Sequence, residues 1–174
     1  MSFERLEGGN IISEKEYGTE FLTTKDGIFD SYKITNVFTL GDDEQIYGLG
    51  QIQNGDLNQR GKSIHLEQDN MKVCIPYFQS TKNYGLFWDN YSPTTFTDNE
   101  EGTSFQYTGT EIDYYILVGN NSSDVLNLMR NLTGKSPMPT LWNFGLYQSK
   151  ERYVSSTEVR EVLGKYRQLQ VPLD

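Results

Sequence analysis

Val73-Cys74-Ile75-Pro76-Tyr77-Phe78 and Tyr84-Gly85-Leu86-Phe87-Trp88, separated by a short polar turn at Ser80 to Asn83, read as two consecutive strands. Apolar and aromatic side chains dominate both runs, as a pleated and largely buried surface requires. Pro76 cannot donate a ladder hydrogen bond, so it marks an edge or a bend in the first run. Working outward, the grammar of strands extends from Phe21 to about Asn120. Tyr32, Ile34, Val37, Phe38 and Leu40 follow the turn signal Asp26-Gly27. Phe105-Gln106-Tyr107 and Ile112-Asp113-Tyr114-Tyr115-Ile116-Leu117-Val118 flank a turn at Gly109 and read as a hairpin. Short strands at this spacing predict an antiparallel β-sandwich.

Composition agrees: aromatics make up 13% of the 174 residues, a bias toward all-β architecture. The net charge of −9 argues against phosphate-backbone or anionic-membrane binding, which need clustered cations. It leaves neutral ligands such as sugars open. Cys74 is the single cysteine, so no intramolecular disulfide can form. No apolar run is long enough to span a bilayer. The compartment is left open. Asn90, Asn120, Asn121 and Asn131 head Asn-X-Ser/Thr triplets, which carry meaning only in a glycosylating compartment.

Near Asn121 the pattern changes. Ser122 or Ser123 can cap a helix over about 123–132, with Val125, Leu126, Met129 and Leu132 on one face and Gly134 as its stop. Pro137-Met138-Pro139 is a stiff connector, which divides the chain into 1–136 and 137–174. Leu141 to Tyr147 reads as a buried strand. Ser155 with Glu158 forms a capping box, opening a helix with Val159, Val162, Leu163, Tyr166 and Leu169 on one stripe. Pro172 ends it, and Leu173-Asp174 resembles the onset of another strand. A strand, a helix and a second strand onset make the start of a βαβ unit, whose parallel strands need further neighbours. The chain is therefore expected to be part of a longer one.

Six segments in order resemble the junction between the N-terminal sandwich and the catalytic barrel of glycoside hydrolase family 31. They are Asp43-Glu44-Gln45-Ile46-Tyr47-Gly48-Leu49-Gly50-Gln51; Gly55-Asp56-Leu57-Asn58-Gln59-Arg60-Gly61 with Leu66-Glu67-Gln68-Asp69-Asn70; Ile75 to Ser80 with Tyr84 to Asn90; Leu132-Thr133-Gly134-Lys135-Ser136-Pro137-Met138-Pro139; Trp142 to Ser149; and Val171-Pro172-Leu173-Asp174. Thr140 stands where the family's linker carries a second proline. The resemblance implies a mainly β fold: a galactose-mutarotase-like sandwich followed by the start of a (β/α)8 barrel.

It also implies a parent enzyme that is a retaining α-glycosidase acting on terminal α-glucosyl or α-xylosyl groups of oligosaccharides, by hydrolysis or transfer. The family needs no cofactor, and oligomers are possible. Retention calls for two carboxyl groups about 5–5.5 Å apart, and in the family both belong to later barrel strands. No catalytic residue is therefore expected in this chain. The resemblance gives Asp56, Asn58 and Arg60 to a loop lining the aglycone side of the substrate pocket, and Gln148 to the rim beyond the first barrel strand. Carboxylate, amide and guanidinium groups suit sugar hydroxyls. The bland reading makes them turn residues, with Arg60 pairing Asp56 to fix the loop.

Other residues favour structural roles. His65 has no second His or Cys nearby and reads as a strand-face histidine. Trp88 and Trp142 are expected in the core. Gly48-Leu49-Gly50 lacks the following helix of a dinucleotide fingerprint, and Cys74 sits in an apolar strand. A stand-alone carbohydrate-binding sandwich is the main alternative, and a structural subunit binding another protein through its Tyr- and Phe-rich sheet a weaker one. The capped helix at Ser155 to Leu169 serves neither.

Overall fold

The computed structural model describes residues 1–173, and the chain divides into two compact units, Met1–Gly134 and Lys135–Asp174. The first contains eleven strands: β1 (Ser2–Glu4), β2 (Asn10–Glu14), β3 (Glu20–Asp26), β4 (Phe29–Thr39), β5 (Ile46–Gln51), β6 (Ser63–Leu66), β7 (Val73–Ser80), β8 (Tyr84–Trp88), β9 (Thr94–Asn99), β10 (Gly102–Gly109) and β11 (Tyr114–Val118). All pairings are antiparallel. One sheet runs β1-β2-β4-β10-β9-β6, with β3 also paired to β4; the other runs β11-β8-β7-β5.

The period-2 alternation does the sorting. In β10, Thr103, Phe105 and Tyr107 point inward, and in β9 so do Thr94, Phe96 and Asp98. Trp88 is fully buried and stacks on Phe105 of the opposite sheet and on Tyr114, with ring centroids 5.2 Å apart in both cases. Phe78 meets Phe96 and Phe105 in the same layer. This aromatic stack is the centre of the core, and burial of such rings dominates the stability of a sandwich. Burial also pushes the phenols of Tyr77 and Tyr107 up to about 12.

The β7–β8 pair occurs as expected, but β7 lies inside its sheet rather than at an edge. Pro76 falls in a stretch of β7 that makes no register pair with β5. Opposite it, β5 pairs Gly48 with Phe78 and Gly50 with Cys74, so the register shifts between them. Gly48, Leu49 and Gly50 take φ of 136°, 65° and 100°. A Cβ on Gly48 would lie 2.5 Å from the Tyr77 carbonyl oxygen, and one on Gly50 2.1 Å from that of Val73. Only glycine fits at either position. Leu49 between them is fully buried.

Three expectations are corrected in this unit. The segments around Gly109 do not form a hairpin: β10 and β11 belong to different sheets, and Thr110 to Asp113 carries the chain across. Helix α1 (Ser122–Thr133) is capped by Asn121, whose side chain accepts from the Asp124 amide at 3.0 Å, one residue before the expected serines. Of its apolar face only Val125 is buried, beneath which Gly85 leaves room; Leu126 and Leu132 are exposed. Gly134 ends the helix at φ 87°.

The second unit, taken by itself, has no strand and no buried residue among the described residues. Leu141–Phe144 is a turn of 3₁₀ helix, not the expected strand. The Asn143 amide donates to Thr140 O at 3.0 Å, and the Gly145 amide to Trp142 O at 3.0 Å. A parallel strand exists only through ladder bonds to neighbours, and without one these residues satisfy themselves locally. Trp142, expected in a core, is 53% exposed. Helix α2 (Ser156–Gln168) forms as read, with Ser155 Oγ accepting from the Glu158 amide at 3.2 Å. The Glu158 carboxylate accepts from the Val154 amide and pairs with Lys150. The stripe on α2 is exposed at Val159, Leu163 and Leu169. The anticipated strand onset at Leu173-Asp174 reaches a position outside the described residues.

Candidate functional site

The loop joining β5 to β6 leaves the Gly48–Gly50 bulge and returns along its own strand. Asn58 bridges to Tyr47, and its Oδ1 accepts from the Ile46 amide at 3.3 Å and the Arg60 amide at 3.2 Å. The Gln59 amide donates to Ile46 O at 2.9 Å. The Gln59 side chain, 4% exposed, works as an internal staple. Its Nε2 donates to the carbonyls of Asp56 at 3.0 Å and Leu57 at 3.3 Å, and its Oε1 accepts from Asn54 Nδ2 at 3.2 Å. A loop with so little apolar material is thus fixed by polar bonds, each modest but mutually supporting.

Arg60 anchors the base. Its Nε donates to Asp98 Oδ2 at 2.9 Å, and its Nη1 to the carbonyls of Gly41 at 2.8 Å and Glu44 at 2.6 Å. The Asp98 carboxylate is buried and also accepts from the Gly61 amide at 2.6 Å and the Thr103 hydroxyl. Buried Glu44 accepts hydrogen bonds from the Tyr84 and Ser80 hydroxyls and from the Gly41 amide at 2.9 Å. Burial, and then the Glu44 carboxylate, drive the Tyr84 phenol far up, so it serves as a permanent donor.

The predicted site residues therefore separate. Asn58 and Arg60 are committed to the loop's own bonds, and both line an open cleft of about 820 Å³ with Asp43, Gln45, Asp98 and Glu101. Asp56 stands apart at the exposed tip, next to Leu57, and is not part of that lining. It pairs with Lys62 at 2.7 Å rather than with Arg60, its side chain 48% exposed. Gln148 belongs to the second unit, where it is exposed and accepts from the Tyr166 hydroxyl.

Reading the residues alone passed over Gln59, Lys62 and Asp98. Asp98 had a legible signal: it falls two places after Phe96 on the inward face of a strand, and an inward acid demands a donor. His65 lies on the exposed face of β6, with Nε2 3.1 Å from Glu67. Among the described residues no cluster of three His, Cys, Asp or Glu could hold a metal ion, and no helix is long and apolar enough to cross a membrane.

Eleven strands in two antiparallel sheets make the first unit a β-sandwich. Residues 2–96 match the glycosyl hydrolase 31 N-terminal galactose mutarotase-like domain, and the chain belongs to that family. It is 37% identical over 155 residues to an alpha-xylosidase of Saccharolobus solfataricus, covering 83% of this chain and 21% of that protein. An uncharacterized family 31 glucosidase of Pseudescherichia vulneris is 32% identical over 172 residues, covering 98% of this chain and 32% of that protein. A family 31 dextranase of Flavobacterium johnsoniae, solved with isomaltotriose, superposes with a TM-score of 0.78 at 27% identity, covering 99% of this chain and 22% of the dextranase. The chain thus spans a fifth to a third of the length of these relatives.

Proposed function

We propose that this chain is the non-catalytic N-terminal portion of a retaining α-glycosidase that releases or transfers terminal α-xylosyl or α-glucosyl groups of oligosaccharides. The observation that carries it is the family match over 2–96, joined to the identity with an alpha-xylosidase. The α-xylosidase and glucosidase relatives are several times longer, which supports a catalytic barrel elsewhere in the parent protein, with residues 137–174 as its opening. In a barrel the two catalytic carboxylates stand at the C-terminal strand ends. One protonates the leaving oxygen while the other attacks the anomeric carbon; the first then takes a proton from water or a second sugar, which displaces the second from that carbon.

This chain's part is to shape the aglycone side. Asp56 is the substrate contact: exposed, anionic, and held at a loop tip whose base Arg60, Asn58 and Gln59 make rigid. Its carboxylate accepts hydrogen bonds from hydroxyls of the leaving sugar. Gln148, on the segment after the first barrel strand, is a further substrate contact in this reading.

The test is Asp56→Ala in the full-length protein. Loss of a charge-assisted bond costs roughly 1.5–3 kcal/mol in kcat/KM for a disaccharide. An aryl glycoside, whose leaving group has no such hydroxyl, suffers less, and the melting temperature stays put. Equal losses on both substrates with earlier melting would make Asp56 structural. Residues 1–174 alone should turn over neither an aryl α-glucoside nor an aryl α-xyloside.

A further inference from the structure

We propose that Asn54 is a self-modifying position, converting spontaneously to aspartate and isoaspartate in the folded protein. Asn54 is the only asparagine in the chain followed by glycine. Both residues are exposed at the head of the β5–β6 loop. Three observations equip them for intramolecular attack. The Gly55 amide donates to no acceptor among the described residues, so its nitrogen is free to lose a proton. A Cβ built on Gly55 meets nothing within 4 Å, so no neighbour crowds the glycine or holds it in place. The Asp56 amide donates to Asn54 Oδ1 at 3.1 Å, which draws electrons from Cγ and steadies the oxygen that becomes negative on attack. Gly55 takes φ of 78°, and glycine's freedom lets the backbone turn further toward Cγ.

The step balances without any oxidant or partner enzyme. Gly55 N, its proton passed to hydroxide or water, forms a bond to Asn54 Cγ. The Cγ–Nδ2 bond then breaks and ammonia leaves, closing a five-membered succinimide. Water opens the ring at Cγ to give aspartate, or at the backbone carbonyl to give isoaspartate. One water is consumed and one ammonia released.

The product alters the loop at once. Asn54 Nδ2 is the donor to Gln59 Oε1, and a carboxylate there sets acceptor against acceptor. Isoaspartate further inserts a methylene into the backbone two residues before Asp56. The chemistry itself is independent of any role in sugar binding.

The experiment holds the 174-residue protein at mildly alkaline pH, confirms by circular dichroism that it stays folded, and maps its peptides over time. The acid forms at position 54 should accumulate before any other asparagine changes, first-order in protein and faster as pH rises. Asn54→Gln and Gly55→Ala should lose the conversion over the interval in which the wild type reaches half. An amide that persists at 54 in the folded protein, while the excised peptide converts, would overturn the proposal. So would earlier conversion at another asparagine, or unchanged conversion in Gly55→Ala.

Discussion

The two tryptophans have opposite fates. Trp88 lies between Phe105 and Tyr114 with no exposed surface, whereas Trp142 sits in a 3₁₀ turn with half its surface in water. Both occur in aromatic-rich segments that read as strands. What separates them is company. The Tyr84–Trp88 strand has ladder partners on both sides and a second sheet above it, while the second unit offers its described residues no sheet. A strand is a collective property: its side chains are buried by other strands, and its backbone is satisfied by them.

The largest way to break this contrast is to truncate both rings. Trp88→Ala should cost about 3–5 kcal/mol in chemical denaturation of the sandwich. Trp142→Ala should stay within about 0.5 kcal/mol, as for other surface changes. Similar costs for the two would show that the second unit carries a core of its own.

A second test sets two ion pairs of the candidate loop against each other. Asp98→Ala strips Arg60 of its carboxylate and leaves the Gly61 amide and the Thr103 hydroxyl without their acceptor, and should cost about 3 kcal/mol. Lys62→Ala removes only the exposed partner of Asp56 and should cost less than about 1 kcal/mol. Equal melting temperatures would dissolve the distinction between base and tip.

A gentler loss follows from pH. The Tyr77 and Tyr107 phenols ionise near 10.0 when unfolded and near 12 when folded, because burial disfavours the phenolate. Their contribution is complete below pH 10 and disappears as pH climbs toward 12. Spectrophotometric titration should find sandwich tyrosines ionising together with unfolding rather than ahead of it.

The smallest effect is local. Ser155→Ala removes the oxygen that accepts from the Glu158 amide and should destabilise α2 by about 1 kcal/mol. Amide exchange should quicken over 156–168 while denaturation of the sandwich is unaffected. A shift in the sandwich transition would tie the two units energetically.

Much of the fold was legible because alternation of apolar and polar residues is imposed by one buried face, as in β10, and a continuous apolar run by burial on both faces, as in β8. The sheet assignment of β10 and β11 was not. Gly109 signals a change of direction, yet whether the next strand pairs beside its predecessor or crosses to the other sheet depends on packing at long range. The Asn121 cap was missed because asparagine and serine compete for the same position, and the chain's exit angle decides. In the candidate site, the loop was found through its resemblance, and the reading in which Arg60 fixes the loop named Asp56 as its partner. Its partner is Asp98, 38 residues away on β9, beyond any local pattern.

The Gly48-Leu49-Gly50 bulge has a practical consequence for redesign. A straight strand can slip against its neighbour, and every slip would swing the outgoing loop to the opposite face. Here two glycines touching the Tyr77 and Val73 carbonyls and a buried leucine between them act as a key in a slot. The departure angle of the chain at Gln51 is set before the loop begins. Segments of different length or composition could therefore be exchanged between Ile52 and Leu57 as cassettes, with Asn58, Gln59, Arg60 and Asp98 as the fixed return socket. Insertions or deletions would be absorbed by the loop alone, without recasting the sandwich that carries it.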